Sequence, residues 1–218
     1  LALSTPAAIN EFHQQNLAAI VSFCLAAALA ATAQKRWRLG GVLLALSKMK
    51  PYTSGLIIVC MLIWVSGCWK ERKQLALWFA AALGCLLLSA WVVLPNWVSG
   101  FVSAIKSYIG YGTEASILQV LLPRPVAWVV TAALVFGVVA LSSKLRTYTS
   151  DSREFGMAIA TAAAVTLIII PKLAAYNQVL LLPALLVLLR DWRAVRRSRL
   201  VIRAFIKGAF ACQIWQWM

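Results

Sequence analysis

The chain has 218 residues, of which 62% are hydrophobic and 12% charged, and its mean hydropathy is +0.83. A water-soluble domain of this length cannot hide that much apolar surface, and uniform Leu, Ala and Val runs without a ten-residue alternation exclude an outer-membrane barrel. The formal charge of +15 falls in short clusters between apolar runs, not on a face with interleaved aromatics, which sets aside nucleic acid as a partner.

Six stretches carry no formal charge for about the length that crosses or nearly crosses a ~30 Å hydrocarbon core: residues 12–34, 51–69, 74–105, 125–143, 155–171 and 173–189. Each reads as a helix, because backbone groups in lipid must be satisfied within the segment. The expected fold is all-α, a polytopic transmembrane helix bundle with six to eight membrane helices. It forms one domain over 1–218, expected to be incomplete at both ends because Leu1 opens without a basic leader and 200–218 starts a new apolar stretch.

Four basic clusters separate the runs: Lys35, Arg36 and Arg38; Lys70, Arg72 and Lys73; Lys144, Arg146 and Arg153; and the series from Arg190 to Arg203. The positive-inside rule places all four on the cytoplasmic side of an inner (plasma) membrane, with the bilayer itself as the first partner. The last series reads as topology and anionic-lipid contact. Cys24, Cys60, Cys68, Cys85 and Cys212 are odd in number, lack CxxC spacing and read as packing residues.

In chain order, residues 1–15 form a polar external approach and the first helix runs inward from about Asn16. Residues 39–69 have basic clusters at both ends and Lys48, Lys50 and Pro51 inside, so two helices must fit and the first, of about nine apolar residues, stops partway in. Residues 74–95 rise outward to Pro95. Trp97, Phe101, Tyr108 and Tyr111 within 96–124 suit an interfacial amphipathic helix. Residues 125–143 return inward, 155–171 go out, and 173–189 come back after a turn at Pro171-Lys172.

No Gly-rich phosphate loop, HExxH or GxSxG is present, and one histidine precludes a histidine-based metal cluster. Three polar groups remain, all on or near the external side. His13, Gln14, Gln15 and Asn16 stand at the mouth of the first helix, as sugar-hydroxyl ligands or as a helix cap. Lys48 and Lys50 flank a helix break, as an anion site or as snorkelling lysines of a shallow hairpin. Lys172, Tyr176, Asn177 and Gln178 follow Pro171; interfacial anchoring accounts for the first two but not for the two amides. Glu114 reads as a base or a metal ligand or, as is commoner for a lone loop carboxylate, as solvated surface.

In order, His13-Gln14-Gln15-Asn16, the Lys-Arg-Trp-Arg run at 35–38, Gly-Gly-Val-Leu-Leu-Ala-Leu-Ser-Lys-Met-Lys-Pro at 40–51, Leu94-Pro95-Asn96-Trp97 and the Pro171 to Pro183 run are similar to the central region of glycosyltransferase family 87. These are polytopic enzymes of the GT-C type that include polyprenyl-phosphate-mannose-dependent mannosyltransferases, and the resemblance covers residues 1 to about 193. It implies transfer of a hexose, mannose above all, from a polyprenyl-phosphate donor to an extracytoplasmic glycan or glycolipid acceptor. It implies substrate binding by Gln14, Gln15 and Asn16 with His13 beside them, by Lys50, and by Tyr176, Asn177 and Gln178, while the catalytic carboxylate is expected upstream of residue 1. No cofactor is implied; a divalent metal is compatible with such transfer but not indicated. The chain departs from the family at His13, where a Gly is usual, and at Tyr52, where a Gln is usual. A transporter or flippase, or a non-catalytic membrane subunit, are the competing readings.

Overall fold

The computed structural model describes residues 17–111, 116–170 and 180–181, and its regular structure there is entirely helical. Eight α-helices follow in order: α1 Ala18–Ala33, α2 Trp37–Leu46, α3 Pro51–Gly67, α4 Trp69–Val93, α5 Trp97–Tyr111, α6 Ile117–Leu121, α7 Arg124–Lys144 and α8 Arg153–Ile169. A short 3₁₀ turn, Ser47–Met49, joins α2 to α3.

Local chemistry sets the boundaries. After α1, Lys35 takes a left-handed conformation (φ 57°), and the bonds Arg36 N to Ala31 O (2.8 Å) and Lys35 N to Thr32 O (3.0 Å) close a Schellman motif. Lys50 is extended, as the residue before a proline must be, and Pro51 opens α3 at a position that needs no N–H. The hydroxyls of Thr53 and Ser54 both donate to the Lys50 carbonyl, at 2.7 and 3.5 Å. Ser116 and Gln119 form a reciprocal capping box on α6, and the Ser152 hydroxyl accepts from Phe155 N at the start of α8.

α3 is the hub, packing against α4, α7 and α8, with a smaller contact to α1. Its Ile57, Ile58, Cys60, Met61, Trp64 and Val65 are buried and meet Val21 and Leu25 of α1, Leu75 of α4, and Phe155, Ile159 and Ala162 of α8 in one core. α2 lies between α1 and α4 through adjacent glycines. A Cβ on Gly41 would collide with the Leu75 carbonyl and the Phe79 amide, and one on Gly40 would crowd the Thr32 hydroxyl. This is the close backbone approach that residues without a side chain permit between packed helices.

Two helices among the described residues are long and apolar enough to cross a membrane, Trp69–Val93 and Arg124–Lys144. Only 6% and 17% of their apolar windows are buried, the reverse of a soluble core helix, and this exposure points to membrane insertion. Six to eight spanning helices were expected. α1, α3 and α8, at 16, 17 and 17 residues, measure about 24–26 Å at 1.5 Å per residue and so fall short of the ~30 Å core. The expected span at 173–189 lies outside the described residues. The uncharged run 74–105 is divided at Leu94–Asn96, and α4 starts five residues earlier than that run, taking Lys70 to Lys73 into its first turns.

Candidate functional site

Lys50 is the one predicted binding residue within the described chain. His13, Gln14, Gln15 and Asn16, and Tyr176, Asn177 and Gln178, lie outside it, as do Glu114 and Lys172. The helix break falls at Lys50-Pro51, as the sequence predicts, and makes Lys50 the apex of a hairpin formed by α2, the 3₁₀ turn and α3. The residue is 7% exposed, whereas Lys48 is half-buried and Met49 and Tyr52 are half-exposed. Its Nζ lies 5.4 Å from the centre of the Tyr52 ring, within cation–π range.

The opposite end of α3 carries a second polar centre, built on a basic cluster that the positive-inside rule explains as topology alone. Arg72, 3% exposed, lays its guanidinium 3.8 Å over the Trp64 ring. Its Nη1 donates to the carbonyls of Trp64 (2.9 Å) and Arg146 (2.8 Å), and its Nη2 donates to that of Tyr148 (2.9 Å). Trp64 Nε1 also donates to Tyr148 O at 2.8 Å, and the Trp64 ring packs on Trp37 and Phe155 at 6.1 and 4.8 Å between centres. A signal was available: Arg72 shares the spacing of Leu75 and Phe79, the buried stripe of α4. With carbonyl partners and an aromatic face, this cation is structurally committed, and its role is to tie loop 145–152 to the α3–α4 turn.

That knot gathers basic loops. Ser150 Oγ donates to Thr32 O at 3.2 Å, so the ends of α1, α3 and α7 and the starts of α2, α4 and α8 meet at one end of the bundle. Three of the four basic clusters stand there. The described acids, Glu71, Asp151 and Glu154, occupy the same end by their positions in the first turns of α4 and α8 and the loop between α7 and α8. Lys50 lies about 25 Å away along α3, by its 17 residues at 1.5 Å each. The two ends of α3 thus differ in kind: a basic, knotted rim, and a hairpin apex bearing one buried lysine.

No group of three or more His, Cys, Asp or Glu side chains that could hold a metal is found among the described residues. Compared with models of known families, with curated proteins and with solved structures, the chain finds no match. The class defined by the fold is therefore an all-helical protein with two exposed helices of membrane-spanning length.

Proposed function

We propose that the chain is part of a multi-pass inner-membrane glycosyltransferase of the GT-C type, moving a hexose, mannose by its sequence resemblance, from a polyprenyl-phosphate carrier to an extracytoplasmic glycan or glycolipid. The observation that carries this reading is the buried Lys50 at the apex of a broken hairpin, at the end of α3 opposite the basic rim. By the positive-inside rule the rim faces the cytoplasm, which puts Lys50 toward the external half of the membrane. A lysine away from the membrane surface costs about 2.5–3.5 kcal/mol on insertion scales and is rarely idle there.

Transfer breaks the bond between the sugar's anomeric carbon and the carrier phosphate and forms one to the acceptor oxygen. The phosphate leaves with the bonding pair, and the acceptor proton passes to a carboxylate. Lys50 stabilises the charge gathering on the departing phosphate, an effect that is large where water is scarce. The amides of Gln14, Gln15, Asn16, Asn177 and Gln178 hold sugar hydroxyls, with His13 and Tyr176 beside them. The carboxylate base belongs to a segment outside the described residues, since the described acids sit at the rim.

The test is radiolabelled sugar transfer from polyprenyl-phosphate-mannose in membranes carrying the full-length gene product, with Lys50→Ala and Gln15→Ala measured beside it. Transfer lost in both variants at unchanged expression supports the reading. An inactive parent across several lipid-linked sugars turns it toward transport or a scaffold.

A further inference from the structure

The outer face of α2 and α4 at the basic end combines features that no part of the transfer reading uses. Lys70, Lys73 and Gln74 fall on one stripe of α4 at helical spacing and are exposed. The stripe continues through Leu77, Ala81, Gly84 and Leu88, with Leu77 57% and Leu88 68% exposed and open space around Gly84. At its edge Trp78, 42% exposed, receives the Arg38 guanidinium of α2 at 5.8 Å from its ring centre. Arg38 is itself exposed. Three cations stand here against one exposed acid of the same turns, Glu71, so the face keeps a net charge of two (three minus one).

We propose that this face is a binding site for an anionic phospholipid of the leaflet at the basic end, its headgroup phosphate held by Arg38, Lys70 and Lys73 and an acyl chain lying along Leu77, Ala81, Gly84 and Leu88. Charge complementarity selects the occupant. Cations alone fit any polyanion, but cations that pass directly into an exposed apolar stripe beside a tryptophan fit a phosphate with a hydrocarbon tail. The lengths agree: Lys73 to Leu88 spans about 22 Å at 1.5 Å per residue, enough for a phosphate and a chain in a leaflet of roughly half the ~30 Å core. The stripe is bare because Leu75 and Phe79, on the other side of α4, take the contact with α2 and the core. The site rests on the membrane part of the reading above and not on sugar transfer.

Purified full-length protein in a neutral detergent, titrated with short-chain phosphatidylglycerol or phosphatidylcholine and read by native mass spectrometry, tests it. Phosphatidylglycerol should bind more tightly, and the triple variant Arg38→Gln, Lys70→Gln, Lys73→Gln should weaken it roughly a hundredfold, at about fivefold per charge near a membrane surface. A charge-matched control, Arg124→Gln, Lys144→Gln, Arg153→Gln, on α7 and α8, should stay within about twofold of the parent, the cost of a distant charge screened by salt. Equal weakening in both triples, or no preference between the two lipids, overturns the site. Release of the parent from membranes by alkaline carbonate overturns the site and the membrane reading together; retention without lipid preference overturns the site alone.

Discussion

Arg72 and Trp64, eight residues apart across the α3–α4 turn, form a stacked pair whose cation also donates to the Trp64 carbonyl at 2.9 Å. The same guanidinium holds the Arg146 and Tyr148 carbonyls of a loop more than seventy positions later in the chain. Arginine suits this position because its planar fork serves several acceptors while one face lies on an indole. Arg72→Lys should keep the charge yet fail to span these carbonyls, and Arg72→Gln should lose the stack as well. Leaving buried carbonyls without a donor costs about 1–3 kcal/mol. Both variants should therefore unfold at lower temperature in detergent, and loop 145–152 should become more accessible to protease than in the parent. An unchanged midpoint for Arg72→Lys would show that one amine is sufficient.

The glycines of the helix contacts differ sharply in what surrounds them. Gly41→Ala places its methyl against the Leu75 carbonyl and the Phe79 amide of α4, which are backbone atoms and cannot turn aside. The helices must part, at a cost of about 1–3 kcal/mol by analogy with overpacked cores. Gly84→Ala meets nothing within 4 Å and should be neutral or gain up to about 1 kcal/mol from helix propensity. Thermal unfolding of the two variants beside the parent checks the contrast. Similar midpoints for both would mean that α2 and α4 do not approach this closely.

Gathering the rim loops at one end gives a sidedness prediction. In a background with Cys24, Cys60, Cys68, Cys85 and Cys212 replaced, Lys35→Cys, Lys70→Cys and Arg153→Cys should share one labelling pattern with a membrane-impermeant maleimide. Ser103→Cys, on the exposed face of α5, should show the opposite one. Labelling of intact cells should reach only Ser103→Cys, and permeabilised cells should expose all four. A split among the three rim positions would contradict the hydrogen bonds that join their loops.

Much of the helical plan was legible in the chain because proline and charge punctuate it strongly. Pro51 and Pro95 mark the break before α3 and the end of α4, and Pro171 follows the end of α8. The start of α4 is less legible, since the charges of Lys70 to Lys73 suggest a loop, and the counter-signal is the helical spacing of Arg72 with the buried Leu75 and Phe79. Nor did hydropathy distinguish α1 and α3 from full spans, because it counts apolar residues and not where caps end the helix. For the candidate site, the isolated lysines at a helix break were visible in sequence. The ranking of Lys50 over Lys48 was visible as well, whereas the degree of burial was not, for that depends on how α1 and α3 pack around the 3₁₀ turn.

Burial separates Lys50 from Lys48, and the difference decides what each substitution should do. A residue kept for the fold loses stability when replaced. A buried cation kept for chemistry has an opposing desolvation cost, up to about 2.5–3.5 kcal/mol at the middle of a membrane, so a methionine of similar length should leave the fold intact or steadier. Lys50→Met should therefore unfold at or above the parent midpoint while transferring sugar roughly a hundredfold more slowly, the scale of losing one group that stabilises developing charge. Lys48→Met, at a half-buried position, should change transfer by no more than about twofold, as expected of a screened charge. Transfer rates and thermal midpoints measured on the same preparations check both. A falling midpoint with falling transfer in Lys50→Met would assign Lys50 to structure and remove it from the proposed chemistry.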